Sequence, residues 1–198
     1  MSDIRIEVLT GARLTAHLPD VARLRIEVFR AFPYLYDGDF ESEARYLRSF
    51  ASSPDAVIVG AFDGETVVGA STAGPLATQM DDFTAPFKAR GEDMSRYFYF
   101  GESVLQRAFR GQGIGVRFFE AREAHARECG ASIAAFCAVV RADDHPARPE
   151  DYVPLDAFWR KRGYAPVQGL ACRLDWREVG EVDEIRHEMQ FWTKRLTP

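Results

Sequence analysis

A chain of 198 residues, 46% hydrophobic and 28% charged, has the length and composition of one ordinary globular domain with a sizeable core, which excludes a disordered segment. Its net charge of −5 argues against holding nucleic acid or an anionic membrane through bulk charge, so neither partner is expected. Three cysteines (Cys129, Cys137, Cys172) without C-x-x-C or Cys/His spacing, and four scattered histidines, exclude a disulfide framework and a zinc site; no metal is expected, and reduced thiols suit a cytoplasmic location.

The opening MSDIRIEVLT has no positively charged region followed by an apolar one, so no secretory leader is expected. Within it, residues 4–9 alternate apolar with charged side chains, the pattern of a half-buried strand. Leu18, Val21, Leu24, Val28 and Ala31 fall at helical spacing over 17–31. The aromatic stretch AFPYLYDGDF (31–40) leads to a second helix over 41–51. Residues 55–72 read as a hairpin, with β-branched runs flanking Asp63-Gly64, a pair that tolerates the positive φ angles of a tight turn.

Residues 74–96 are longer than a hairpin connection needs, and 82–90 suit a short helix. YFYFGESVL (97–105) is strand-like; a glycine-rich turn then opens a helix that runs to about Cys129 and stops at Gly130. The apolar run ASIAAFCAVV (131–140) fits a strand buried on both faces and is far too short to cross a bilayer as a helix. A polar loop, RADDHPARPEDYVP, precedes a short helix in LDAFWRKRG and two last strands at 170–177 and 187–196. No repeat or linker interrupts this order. The expectation is a single mixed α/β domain over 1–198 with an insertion at about 74–96.

The stretch FRGQGIGVRFF (109–119) places Gly111, Gly113 and Gly115 at a helix start. Helix N-termini carry unpaired N–H groups and partial positive charge, so a bare turn there is a natural phosphate seat. No Lys-Ser or Lys-Thr follows, which excludes the Walker A loop, and Val116 stands where the dinucleotide fingerprint needs its third glycine. What fits is R-x-x-G-x-G, in Arg110, Gly113 and Gly115. Here the sequence resembles the GNAT superfamily of acetyl-CoA-dependent N-acetyltransferases. The element order is that family's order, and Phe158-Trp159-Arg160-Lys161-Arg162-Gly163-Tyr164 is similar to its F-Y-x-K-x-G-F segment.

The resemblance implies a GNAT-like acyl-CoA N-acyltransferase fold, a central mixed, mostly antiparallel twisted sheet flanked by helices. It implies acetyl-CoA as co-substrate, its pyrophosphate wrapped by the amides of Gly111, Gln112, Gly113, Ile114, Gly115 and Val116 beside Arg110. Ser103, Val104 and Leu105 would pair with the pantetheine arm, near Phe158 and Trp159. Arg117, Arg122, Arg160 and Lys161 are candidates for the 3′-phosphate, or plain solvated charges. The competing account of the glycines is a tight strand–helix junction.

Acetyl transfer to an amine needs a base, support for the oxyanion and, in some enzymes, an acid for the thiolate. The resemblance points to Glu102 as general base and to the Leu105 amide for carbonyl polarisation; otherwise Glu102 is an ordinary strand-edge residue. Alternation places Glu102 on the strand face of Phe98 and Phe100, an apolar setting that raises a carboxyl pKa. Trp159 departs from the family's tyrosine, and an indole N–H is no acid. Either Tyr152 or Tyr164 substitutes, the thiolate leaves unassisted, or the protein binds acyl-CoA without turnover. Phe32, Tyr34 and Tyr36 are candidates for the acceptor pocket, or local core; Asp143, Asp144 and His145 are candidates too, or a solvated turn. The 74–96 insertion is a candidate lid. The expected function is transfer of acetyl from acetyl-CoA to an amine of a small molecule, less readily a peptide or protein, by direct attack in a ternary complex. The alternative is a non-catalytic acyl-CoA-binding module. Homodimers through the last strands are common in the family, though no residue here shows one.

Overall fold

Strand patterning carries through to one seven-stranded sheet, seen in a computed structural model that describes residues 4–197. The first three residues of the stretch inspected for a leader lie outside the described residues. In chain order the elements are β1 (Arg5–Leu9), α1 (Gly11–Ala16), α2 (Leu18–Phe29), α3 (Phe40–Ala51), β2 (Val57–Asp63) and β3 (Thr66–Pro75). Then follow α4 (Asp81–Ala89), β4 (Tyr97–Leu105), α5 (Ile114–Glu128), β5 (Ile133–Val139), α6 (Asp156–Arg160), β6 (Ala165–Arg177) and β7 (Glu184–Arg195). The strand order is β1-β2-β3-β4-β5-β7-β6. Every neighbouring pair is antiparallel except β4–β5, whose parallel pairing requires the α5 crossover.

Helices cover both faces. On one, Leu14, Val21, Leu24 and Leu47 of α1–α3 bury against Ile58, Ala70 and Val104. On the same face Phe83 and Phe87 of α4 pack with Tyr97, Tyr99 and Phe191. The other face is closed by α5, whose Phe118 and Phe119 meet Val59, Phe98, Phe100 and Phe136. The insertion packs against the sheet, with the Phe87 ring 5.1 Å from Tyr97 and 4.9 Å from Phe191. The helix α1 went unread in the sequence because only Leu14 in it is buried, too little periodicity to register. No helix among the described residues is long and apolar enough to cross a membrane.

Two irregularities of β4 shape everything that follows. First, β4 and β5 pair over only three positions, Tyr97↔Ile133 to Tyr99↔Ala135, and then part. Beyond Tyr99, β4 pairs with β3 alone and β5 with β7 alone, which opens a gap between two strands of the sheet. Second, Ser71 pairs with Ser103 but Ala73 with Phe100, so Thr72 alone stands opposite Gly101 and Glu102. Two residues against one is a β-bulge, and it reverses the alternation beyond it. Phe98 and Phe100 point to the α5 side, yet Glu102 and Val104 point to the α2 side, while Ser103 and Leu105 take the α5 side. The expectation that Glu102 shares a face with Phe98 and Phe100 is therefore overturned. Gly101 makes the bulge fit: a Cβ there would lie 2.5 Å from Thr72 Oγ1.

Candidate active site

Three buried charges from three elements meet beside the bulge. Arg25 of α2 donates from Nη1 to Glu102 Oε2 at 2.7 Å, and from Nε and Nη2 to the two carboxyl oxygens of Glu43 on α3. The carboxyl side chains are 1% and 2% exposed for Glu43 and Glu102. Burial would lower the Arg25 pKa, but the carboxylates of Glu102 and Glu43 outweigh it and hold the guanidinium above its usual range. The Arg25 guanidinium also lies over the Tyr46 ring, 4.6 Å from its centroid. Glu102 Oε1, by contrast, is buried without a hydrogen-bond partner among the described residues. A lone acceptor of this kind is costly unless something donates to it. Arg25 and Glu43 were not among the site residues expected from the sequence; the available hint was a charge on an otherwise apolar helix stripe, since Glu43, Leu47 and Phe50 share one buried face.

These groups form part of the floor of a cleft of about 1530 Å³ on the α2–α4 face. Tyr34 and Tyr36, the two tyrosines considered for an acceptor pocket, line it together with Tyr46 and Tyr99. Burial pushes all four phenols up, so each stays protonated. The loop bearing Tyr34 and Tyr36 is fastened to the far hairpin. Asp37 N donates to Arg177 O at 2.9 Å, Val179 N to Leu35 O at 2.7 Å and Trp176 Nε1 to Tyr34 O at 3.0 Å. The insertion contributes Met80 to Phe83 and part of α4 as the opposite wall.

Other expected acceptor residues gather elsewhere. Phe32 meets Tyr152 edge-on at 4.7 Å and His145 at 5.6 Å, and none of the three lines the cleft. Asp143 is almost wholly exposed and pairs with Arg148. Asp144 is exposed as well, so the turn reading suits both acids better than a pocket.

On the opposite face lies the glycine turn. Gly111 and Gly113 adopt φ of 79° and 78°, the left-handed region that favours glycine, and Gly113 caps α5. The amides of Gly111, Gln112, Gly113, Ile114 and Gly115 donate to no backbone carbonyl among the described residues. Five successive free donors at a helix N-terminus match the demands of a diphosphate. Phe158 packs under this turn, its Cζ 3.4 Å from where a Gly115 Cβ would sit. Arg110 folds back, Nε donating to Leu105 O at 3.2 Å. Between turn and cleft lies the β4–β5 gap, edged by Ser103, Val104 and Leu105.

Several side chains have other employment than expected. Arg122, 1% exposed, is a bracket inside the protein rather than a surface phosphate ligand. It donates to Thr72 O (3.3 Å), Glu102 O (3.4 Å), Phe118 O (3.2 Å) and Ser103 Oγ (2.9 Å), so it fastens both strands of the bulge to α5. Burial pulls its pKa down to about 10. Arg117 donates to Ile4 O, Arg160 lies over Trp192, and Lys161 is exposed. Trp159, partly buried, packs edge-on against the core residues Phe136 and Trp192. Tyr164, 2% exposed, donates to Glu123 Oε1 at 3.0 Å, and Lys194 holds the same carboxylate. That commitment leaves Tyr164 no free proton for a departing thiolate.

Residues 21–164 match the profile of the family described as "Acetyltransferase (GNAT) family". Among solved structures, yncA from Salmonella typhimurium with its cofactor acetyl-CoA superposes with a TM-score of 0.61 at 12% identity, over 100% of this chain and 96% of that one. Ribosomal-protein-alanine N-acetyltransferase from Brucella melitensis gives 0.60 at 16% identity, over 96% and 99%. An aminoglycoside 6'-N-acetyltransferase complexed with coenzyme A gives 0.58 at 16%, over 97% and 98%. At these identities the likeness speaks to the fold alone. No curated protein sequence matches the chain.

Proposed function

The chain belongs to the acetyltransferase (GNAT) family, and from that premise we propose that it transfers acetyl from acetyl-CoA to an amine of a small molecule by direct attack in a ternary complex. When bound, acetyl-CoA supplies the acetyl group already activated as a thioester. The amides of Gly111, Gln112, Gly113, Ile114 and Gly115, with Val116 following, hold its pyrophosphate; bare glycines at a left-handed turn let the phosphates come close. The edge of β4 at Ser103–Leu105 takes the extended arm, and the Leu105 amide polarises the carbonyl to be attacked.

Glu102 receives the proton of the acceptor amine at Oε1, directly or through one water. Its unpartnered, buried oxygen at the cleft floor is the observation that carries this reading. Two carboxyl groups sharing one guanidinium favour an acceptor that arrives as a cation, and Tyr34 and Tyr36 wall its path. With Trp159 packed against Phe136 and Trp192 and Tyr164 bound to Glu123, the thiolate takes its proton from Tyr152 or from water, or leaves without one.

The test is calorimetry of the purified protein with acetyl-CoA, followed by thiol release against a panel of amines for wild type and Glu102→Gln. The expected result is binding by both proteins and release by wild type alone, about a hundredfold or more faster than the variant. A full-rate Glu102→Gln protein would reject the base assignment. Binding without release from any amine would favour the non-catalytic module.

A further inference from the structure

We infer that Glu43 is a positioning residue that keeps one oxygen of Glu102 free by holding Arg25 from the far side; the inference rests on Glu102 being the base. A carboxylate buried on the apolar stripe of α3 needs a partner, since removing an ion from water costs several kcal/mol unless it is paired. Arg25 supplies that partner through two nitrogens, Nε and Nη2. Only Nη1 remains for Glu102, and it reaches Oε2 alone.

A guanidinium and a carboxylate left to themselves form a two-pronged fork that occupies both oxygens. Here Glu43 takes the fork's better edge. Rings hold the plane in place as well: Tyr46 lies 4.6 Å and Phe29 5.2 Å from the Arg25 Cζ. Arg25 is thereby prevented from swinging onto Glu102 with a second nitrogen, and Oε1 of this cleft-lining residue stays buried without a donor. Glu43 also opposes the pull of the positive charge on Glu102, because its own carboxylate, on the same guanidinium, adds a like charge nearby.

The charged and titratable groups around Glu102 come from every neighbouring element. They are Arg25 of α2, Glu43 and Tyr46 of α3, Tyr36 of the loop before α3, and Tyr99 of β4. From α5, Arg122 reaches the Glu102 carbonyl. Of these, Arg25 forms the ion pair with the carboxyl itself, and Arg122 adds a longer-range attraction from the other side of the sheet. Neutralising Glu43 therefore removes the like charge that offsets Arg25 at Glu102.

Two readouts test this in the full-length protein. The first is the pH range over which the Glu102 side-chain carboxyl changes its 13C resonance in protein labelled at glutamate, with Glu102→Gln assigning the signal; it needs no turnover. The second is the pH profile of acetyl transfer to the best amine of the panel. In Glu43→Gln the resonance change and the acidic limb of kcat/KM both move to lower pH, and kcat falls about tenfold while KM for acetyl-CoA holds. Glu43→Asp returns the limb to its wild-type place with part of the rate. Arg25→Lys, which keeps the charge but loses the fork, moves both readouts to higher pH and serves if Glu43→Gln does not fold. Unchanged titration in both Glu43→Gln and Arg25→Lys would overturn the inference and leave Glu43 a purely structural residue. Should Glu102→Gln keep the full rate, the base assignment fails instead, and the resonance experiment still judges the coupling.

Discussion

Gly101→Ala probes the bulge that turns Glu102 toward the cleft. An added Cβ would lie 2.5 Å from Thr72 Oγ1, where ordinary contact begins at 3.4 Å. Thr72 is 1% exposed, so its side chain has nowhere to retreat by the missing 0.9 Å or so. Either it rotates and withdraws the acceptor that Glu102 N uses at 3.2 Å, or the strand moves. The first leaves a buried N–H unsatisfied, about 1–3 kcal/mol; the second is overpacking, again about 1–3 kcal/mol. The lower backbone entropy of alanine in the unfolded chain returns roughly 0.4–1 kcal/mol. A net loss of about 1–2 kcal/mol is expected in urea unfolding with an unchanged m-value. The acetyl-transfer rate should fall further, since a shift near 1 Å at a reacting group costs on the order of a hundredfold. Thr72→Ala removes the obstacle, and on that background Gly101→Ala should cost almost nothing, a coupling of at least about 1 kcal/mol. Additive single and double variants, or a Gly101→Ala protein with wild-type stability and rate, would show that the bulge does not hold Glu102 as described.

Three other outcomes are expected. Gly113→Glu places a carboxylate and a non-glycine residue at φ 78°, so calorimetry should show acetyl-CoA binding abolished at a stability loss of only about 1–2 kcal/mol; retained binding would remove the glycine turn from the coenzyme site. Tyr164→Phe should cost about 1 kcal/mol in urea unfolding and leave the transfer rate intact, whereas a tenfold loss of kcat would restore Tyr164 as a proton donor. His187, stacked 3.6 Å from Trp176, has its pKa lowered from 6.5 by burial and by Arg141, with Glu178 opposing. The unfolded chain protonates first, so stability falls as pH drops below about 6.5 toward the lowered folded value. His187→Phe should flatten that fall, and an equal slope in the variant would exclude His187 as its source.

The sequence revealed most of the scaffold because its strongest signals are local. Aromatic and β-branched runs marked β4 at the bounds the structure shows, and the glycine turn marked the start of α5. The candidate base was legible as a residue but not as an environment. One extra residue in β4 reverses side-chain direction, and period-two reasoning carries Glu102 to the wrong face; Gly101 in mid-strand was the available hint. Arg122 misled for a different reason. An arginine on an amphipathic helix reads as solvated, and only the three-dimensional meeting of β3, β4 and α5 supplies its four acceptors. Arg25 and Glu43 escaped notice because each is balanced by a residue on another element, Glu43 and Glu102 lying 18 and 77 positions from Arg25.

The tether between the Tyr34–Tyr36 loop and the Trp176–Val179 segment gives the cleft a place in time. Its bonds join residues as much as 142 positions apart, so one wall stays unsupported until residues 176–179 have left the ribosome. The four N-terminal strands pair in the order in which they are made and can assemble as they emerge. The seventh strand, made after the other six, slots between the fifth and the sixth, so the fifth waits with one edge almost bare. A nascent chain halted before that point presents an exposed strand edge and an unfinished cleft together, which makes premature termination an aggregation hazard as well as a loss of activity.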